Sequence, residues 1–199
     1  MSSRTALSMA LALCLVGGLL WQRTAGFSAF TYETWRQSQV VRQRPPVSDW
    51  RLQDDQGKVV RLSDWGEQVL LVSFIFTRCT SVCGALGVRY RQLQRAMEAT
   101  GSKRVRLLSV SIDPAHDTPE RLAEYRSRFG GARTSWTIAR PADEQTLSTL
   151  ISETGLRVIP DRTGGFAHSD SLHWIRDGRL VRISAWTDPA LEGLLTDAG

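Results

Sequence analysis

Cys79 and Cys83 stand four residues apart, directly after Val69 to Phe76, a nearly uninterrupted apolar run. A run of that length and β-rich composition predicts a strand covered on both faces. Two thiols just beyond a central strand lie at the carboxyl edge of a sheet, where open α/β folds place their sites. The helix predicted to follow presents unpaired N–H groups and a positive dipole end, and both favour thiolate. Thiolate is at once the nucleophile of disulfide exchange and a ligand for soft metal ions. The usual redox spacing is Cys-x-x-Cys. Here Thr80-Ser81-Val82 widens the turn, so both sulfurs can converge on one ion while a disulfide stays within reach of local adjustment. Two chemistries follow: a copper-binding dithiol, or a metal-free thiol:disulfide oxidoreductase in which Cys79 attacks and Cys83 resolves. A purely stabilising disulfide is disfavoured, because so small a loop removes little chain entropy.

An imidazole added to two thiolates makes a site able to hold both Cu(I) and Cu(II). The sequence offers three histidines. His116 falls in Asp113-Pro114-Ala115-His116-Asp117-Thr118-Pro119, a turn leading into a helix, which predicts an exposed position. His168 and His173 are five apart at the start of a final hairpin. An odd separation along one strand sends them to opposite faces, so only one of them can face the cysteines. That divergence also argues against a zinc site built from Cys79, Cys83, His168 and His173. A thiol peroxidase would tend to place Thr or Ser three residues before its peroxidatic cysteine, where Phe76 stands.

The elements around these residues read as follows. Trp50 to Leu62, broken at Asp54-Asp55-Gln56-Gly57, predicts a hairpin, and Ser63 can cap a short helical turn through Trp65. Leu86, Tyr90, Leu93 and Met97 recur at helical spacing, with Gly101 as a stop. Val105 to Ile112 is the next strand. Thr118 as cap, Pro119 in the first turn and Gly130 beyond the end bound a second helix carrying Leu122, Tyr125 and Phe129 on one face. A short strand from Trp136 to Ala139 and a third helix from Pro141 to Thr154 follow. A loop with Pro160, Gly164 and Gly165 leads to a hairpin turning at Asp177-Gly178, and a last helix is expected from Asp188-Pro189 onward. This order predicts a layered α/β domain with a mixed sheet.

The net charge of +5 is spread along the chain among acidic residues, which marks a solvated surface and not a nucleic-acid interface. Near the N-terminus, Arg4 precedes an apolar run from Ala6 to Trp21. It is long enough to enter a bilayer but short against the roughly 20 residues of a full span. Residues 1–26 read as a membrane anchor or signal segment; Thr24-Ala25-Gly26, with Arg23 upstream, makes a poor cleavage site, which favours the retained anchor. Cys14 reads as a small apolar residue of that anchor, because Leu13 holds the place of the small residue that precedes a lipidated cysteine. Residues 27–45, polar and without a sustained period, read as a stalk. Residues 46–199 form the domain, placed by the export-type N-terminus in a compartment that tolerates disulfides.

Three separated motifs taken together, Phe74-Ile75-Phe76-Thr77-Arg78-Cys79 with Cys83, Ser109-Val110-Ser111-Ile112-Asp113-Pro114 with Asp117-Thr118-Pro119, and His168-Ser169, resemble the Sco/SenC family of membrane-anchored copper chaperones. The resemblance runs from about Pro46 to Pro189. It implies a thioredoxin-like fold, with a mixed sheet flanked by helices, and one copper ion held by Cys79, Cys83 and His168. It implies a role in assembling the binuclear copper centre of cytochrome c oxidase, by donating copper to the accepting subunit or by keeping that subunit's cysteines reduced. Other copper chaperones or thiol reductases would be further partners. For a bacterial chain the resemblance implies a single-pass inner-membrane protein with its domain in the periplasm. The chain departs from the family pattern at Gly84, where many relatives have proline, and at Ala167, where many have an acidic residue before the ligand histidine. His173 is the fallback ligand. Asp113 and Asp117 read as turn and helix-start residues, and Arg78 as a cation able to favour a thiolate or meet an acidic partner.

Overall fold

The computed structural model describes residues 3–23, 32–79, 82–161, 165–191 and 193. The chain divides into two compact units, Met1–Gln43 and Arg44–Gly199. The first holds two helices, α1 (Ser3–Arg23) and α2 (Tyr32–Gln43). Along α1 the side chains of Leu7, Leu11, Leu13, Leu15 and Leu19 are exposed. Among the described residues no helix is long and apolar enough to cross a membrane. The segment Thr24-Ala25-Gly26 lies outside the described residues. Helix α2 occupies most of the segment read as an aperiodic polar stalk. Besides burying Val40, it is supported by polar pairs: Glu33 accepts from Arg36 and Gln37, and Gln39 accepts from Gln43. Pairs three and four residues apart support a helix without leaving any hydrophobic period to read.

The second unit is built on a seven-stranded sheet in the order β2-β1-β5-β4-β3-β8-β9. Its strands are β1 (Arg51–Asp54), β2 (Val59–Arg61), β3 (Val69–Ile75), β4 (Val105–Ser111), β5 (Trp136–Pro141), β8 (Leu172–Arg176) and β9 (Arg179–Ser184). Strands β3, β4 and β5 run parallel, while β8 pairs antiparallel with β3 and β1 antiparallel with β5. The parallel strands are joined by α3 (Val82–Thr100) and α4 (Pro119–Phe129), and α5 (Glu144–Thr154) follows β5. The continuous apolar run is thus the central strand expected of it, buried from Leu70 to Ile75.

The helix boundaries follow their caps. Thr118 accepts from the Arg121 N–H at the start of α4, and Gly130 closes that helix at φ 63°. Asp143, which accepts from the Thr146 N–H, moves the start of α5 to Glu144 and leaves Pro141 in β5, later than the expected start at Pro141. Asp177 and Gly178 both take positive φ, 50° and 65°, as a two-residue hairpin turn requires. A last helix from Asp188 lies largely outside the described residues.

The segment expected as a loop around Pro160 contains a second, two-stranded sheet of β6 (Val158–Pro160) and β7 (Phe166–His168), with Val158 opposite His168. His168 and His173 therefore do not share a strand. The first ends the small ribbon, and the second sits in β8 of the main sheet opposite Val72. Three-residue strands are too short to show a period, and Ser169 to Ser171 carry no regular structure between the two histidines.

The core fills both faces of the sheet with Leu71, Phe74, Leu107, Leu108, Ile138 and Trp136, each essentially buried. Each such side chain contributes about 1.5–3 kcal/mol by leaving water. Large aromatic polar groups inside find partners: the Tyr90 hydroxyl donates to the Leu71 carbonyl at 2.8 Å, and Trp136 Nε1 to Ser109 Oγ at 3.1 Å. Helices α3 and α4 meet closely at Gly87, where an added Cβ would stand 2.4 Å from the Phe129 ring.

Candidate metal centre

The site is assembled where β3 and β4 end side by side. The Ile112 N–H donates to the Ile75 carbonyl at 2.9 Å, which continues the parallel pairing to the carboxyl edge. The chain leaving β3 turns at once, and the Cys79 N–H donates back to the Phe76 carbonyl at 3.1 Å. Helix α3 starts at Val82, so Cys83 lies in its first turn, and its backbone N–H points at Cys79 Sγ at 3.5 Å. An N–H at a helix start aimed at sulfur favours the thiolate and places the two sulfur donors beside each other. Both stand as thiols. They are unequal in access, with Cys79 half-buried and Cys83 1% exposed. Burial first, then the neighbouring Cys79 sulfur, and further the charge of Asp117, push the Cys83 thiol far above its usual range, although a backbone hydrogen bond at Phe76 opposes them. Cys83 thus keeps its proton until a cation displaces it.

Two carboxylic acids from the loop after β4 hold the two residues before Cys79. Asp117, fully buried, accepts the Thr77 N–H at 3.1 Å, the Thr77 hydroxyl at 2.5 Å and the Ser111 hydroxyl at 2.5 Å. Asp113, also buried, accepts from Arg78 Nη2 at 2.6 Å through one oxygen and from His116 Nδ1 at 2.8 Å through the other. Burial works against its charge, but Arg78 and His116 outweigh it and hold the Asp113 carboxyl below the usual carboxylate range. From α4 the Tyr125 hydroxyl donates to the Cys83 carbonyl at 2.8 Å. Thr77, Arg78 and Cys83 are thereby fixed from outside their own loop. Arg78 is spent on Asp113, and the two aspartates join the loops, a role beyond the turn and helix-start one read from sequence. The signal was present, since all four residues lie in the paired motifs, but their partners are 35 and 40 residues away.

His168 approaches the cysteine loop over Phe76. Its ring stands edge-on to the Phe76 ring, centroids 5.9 Å apart, and Phe166 packs on the same ring at 5.6 Å. Phe76 is therefore the contact shared by the β7 ribbon and the Cys79 turn. His168 Nδ1 lies 2.9 Å from the Ser169 carbonyl. A carbonyl only accepts, so Nδ1 carries the proton and Nε2 keeps the lone pair a metal needs. Ala167 is exposed, on the side of β7 away from Phe166 and His168, so position 167 does not share the ligand face. His173 is fully buried in β8, opposite Val72 and with its ring against Phe74. His116 is exposed, as expected, with its side chain 52% accessible.

The structure thus brings Cys79 and Cys83 together and places His168 one aromatic ring away. Among the described residues no three metal-binding side chains are gathered closely enough to enclose an ion. The donor set nevertheless fits a soft to borderline cation: two adjacent sulfurs, and one imidazole with its Nδ1 locked.

Comparison with known proteins gives a consistent picture. The family model described as SCO1/SenC matches residues 40–147. The SCO1 protein homolog of Bacillus subtilis is 23% identical over 139 residues, covering 68% of this chain and 72% of that protein. The Bradyrhizobium japonicum ScoI structure, solved with copper bound, superposes with a TM-score of 0.63 at 23% identity, over 76% of this chain and 96% of the other. BsSco, described with a disulfide switch and as a member of the Sco family of cytochrome c oxidase assembly proteins, gives a TM-score of 0.66 at 21% identity, over 77% and 91%. The mixed α/β sheet described above is the thioredoxin-like fold these structures share.

Proposed function

The chain belongs to the SCO1/SenC family, and from that premise we propose that it binds one copper ion through Cys79, Cys83 and His168 and serves the binuclear copper centre of cytochrome c oxidase. The observation that carries the reading is the convergence on one turn. Cys83 N–H and Cys79 Sγ are 3.5 Å apart, and the Phe76 carbonyl that fixes Cys79 belongs to the residue on which His168 packs. Soft thiolates hold Cu(I), and an imidazole extends the set to Cu(II). Three protein ligands, one of them on a separate ribbon, suit a carrier that must release its ion by ligand exchange, where a closed four-ligand cage would retain it. The copper is cargo, passed to the accepting subunit of the oxidase. The test is anaerobic copper loading of the full-length chain in wild type, Cys83→Ala and His168→Ala, read by bound copper per chain and by Cu(II)–thiolate absorption. Wild type should hold one copper and both variants should lose it; full retention in His168→Ala sinks the ligand assignment.

A second reading draws on the same pair. Cys79 is accessible and Cys83 is buried directly behind it, the arrangement of an attacking and a resolving thiol. In that role the dithiol would reduce the disulfide of the oxidase cysteines: two electrons pass to the target, its two thiols are restored, and Cys79–Cys83 becomes the disulfide. Turnover of a model disulfide by a wild type that binds no copper would move the assignment to this chemistry.

We further propose that residues 1–26 attach the protein to a membrane, that residues 27–45 act as a partly helical stalk, and that residues 46–199 work outside the cytoplasm, in the periplasm of a bacterium. The exposed leucines of α1 support attachment. Release of the protein from membranes by alkaline carbonate would overturn it.

A further inference from the structure

The imidazole of His116 is not required by the turn that carries it. That turn is closed by backbone, with the His116 N–H and Asp117 N–H both donating to the Asp113 carbonyl at 3.0 and 2.9 Å. Helix α4 is capped by Thr118, and the loop is tied to the cysteine turn by Asp117 through Thr77. As a counter-ion the ring is doubled by Arg78, which the other Asp113 oxygen takes at 2.6 Å. Yet the ring is held: Nδ1 lies 2.8 Å from Asp113 Oδ1, and Asp113 is itself buried while the His116 side chain is 52% accessible. A carboxylate accepts, so Nδ1 is the donor and Nε2 is left with its lone pair toward solvent. An imidazole whose second nitrogen is fixed by a carboxylate is the arrangement of a metal-ligating histidine, and the carboxylate raises its basicity as a ligand. Arg78, which shares Asp113 with His116 and lies 3.4 Å from its Nδ1, is the residue next to Cys79. Two locked imidazoles therefore reach residues of the cysteine turn: His168 packs on Phe76, and His116 lies against Arg78.

We propose that His116, oriented by Asp113, is an exposed entry ligand that captures Cu(II) from solution and passes it to the site of Cys79, Cys83 and His168. The inference rests on the copper reading above. Imidazole suits Cu(II), and a single protein ligand completed by water holds the ion weakly enough to give it up. In the transfer the bonds from copper to His116 Nε2 and to its waters break, bonds to Cys79 and Cys83 sulfur and to His168 Nε2 form, and the two thiols release their protons to solvent. The copper keeps its oxidation state.

The test has two arms, both on the full-length chain. In the first, glycine-buffered Cu(II) is mixed with wild type and His116→Asn, and the growth of Cu(II)–thiolate absorption is followed by stopped flow. His116→Asn preserves a donor to Asp113, so folding is kept while the ligand is lost. The final absorption should equal wild type, while the rate should fall by about tenfold, the scale on which a ligand histidine or its carboxylate partner alters metal binding. In the second arm the thiol site is removed (Cys79→Ser, Cys83→Ser, His168→Ala) and Cu(II) binding is read by electron paramagnetic resonance. A one-nitrogen signal should be present and should disappear on adding His116→Asn. Loading at the wild-type rate in the first arm, or a signal indifferent to His116 in the second, overturns the proposal. If wild type forms no thiolate absorption at all, the copper reading fails instead, and the second arm still decides on His116.

Discussion

Replacing Asp117 by alanine removes the acceptor that fixes the turn before Cys79. Three donors lose their partner at once: the Thr77 N–H at 3.1 Å, and the Thr77 and Ser111 hydroxyls, each at 2.5 Å. A buried donor left unsatisfied costs about 1–3 kcal/mol. The two hydroxyls can rotate toward other acceptors, whereas the Thr77 N–H is fixed by the backbone. The net loss should therefore be about 3 kcal/mol, near the full cost of one stranded donor plus part of two others. For a domain of this size that lowers the melting temperature by about 6–12 °C. Urea unfolding followed by tryptophan fluorescence measures the first quantity. The second consequence is functional. With Thr77 released, Cys79 is no longer held against the α3 start, so Cu(I) should pass to a competing chelator faster than from wild type, and more so than from a core variant of equal stability loss. Asp117→Asn, which keeps one acceptor oxygen, should fall between the two. A stability change below about 0.5 kcal/mol, the ordinary range for surface substitutions, or an unchanged chelator rate at lowered stability, would refute the claim that Asp117 positions the cysteine turn.

Three other consequences follow from the packing. Asp55 is buried between Arg126 at 2.7 Å and Arg133 at 2.9 Å. Burial works against its charge, but the two guanidinium groups outweigh it and hold its carboxyl below the usual range. Its contribution is therefore complete above the ordinary carboxylate range and lost as pH falls through the lowered value; Asp55→Asn should cost about 3 kcal/mol near neutral pH, with the gap to wild type in urea midpoint closing under acid. Gly87→Ala should destabilise by about 1–3 kcal/mol, since Phe129 must move from α3; an unchanged melting temperature would show that the helices separate freely. His173→Phe should retain copper while His168→Ala loses it, which bound-copper assay checks directly, because His173 packs on Phe74 inside the sheet.

What the sequence discloses here is what local chemistry determines. The β3 run, the Thr118 cap with Pro119, the Gly130 terminator and the Asp177-Gly178 turn each act within a few residues, and each stands where expected. The cysteine pair was legible for the same reason. The histidines were harder, because the choice between His168 and His173 depends on which sheet each joins, and that is set by pairing of Val158 with His168 and of Val72 with His173. Helix α2 was hard to read because polar side-chain pairs support it and only Arg36 and Val40 are buried along it. Asp113, Asp117 and Arg78 carried motif positions, yet their work is done across loops distant in sequence, which no local pattern encodes.

The central claim is that both sulfurs and the His168 imidazole hold one copper ion. X-ray absorption at the copper edge of the loaded full-length chain tests it most directly. The account predicts a first shell of two sulfurs and one imidazole nitrogen, with the nitrogen lost in His168→Ala and one sulfur lost in Cys83→Ala. A shell without sulfur in wild type, or one that keeps its imidazole when His168 is replaced, would contradict it.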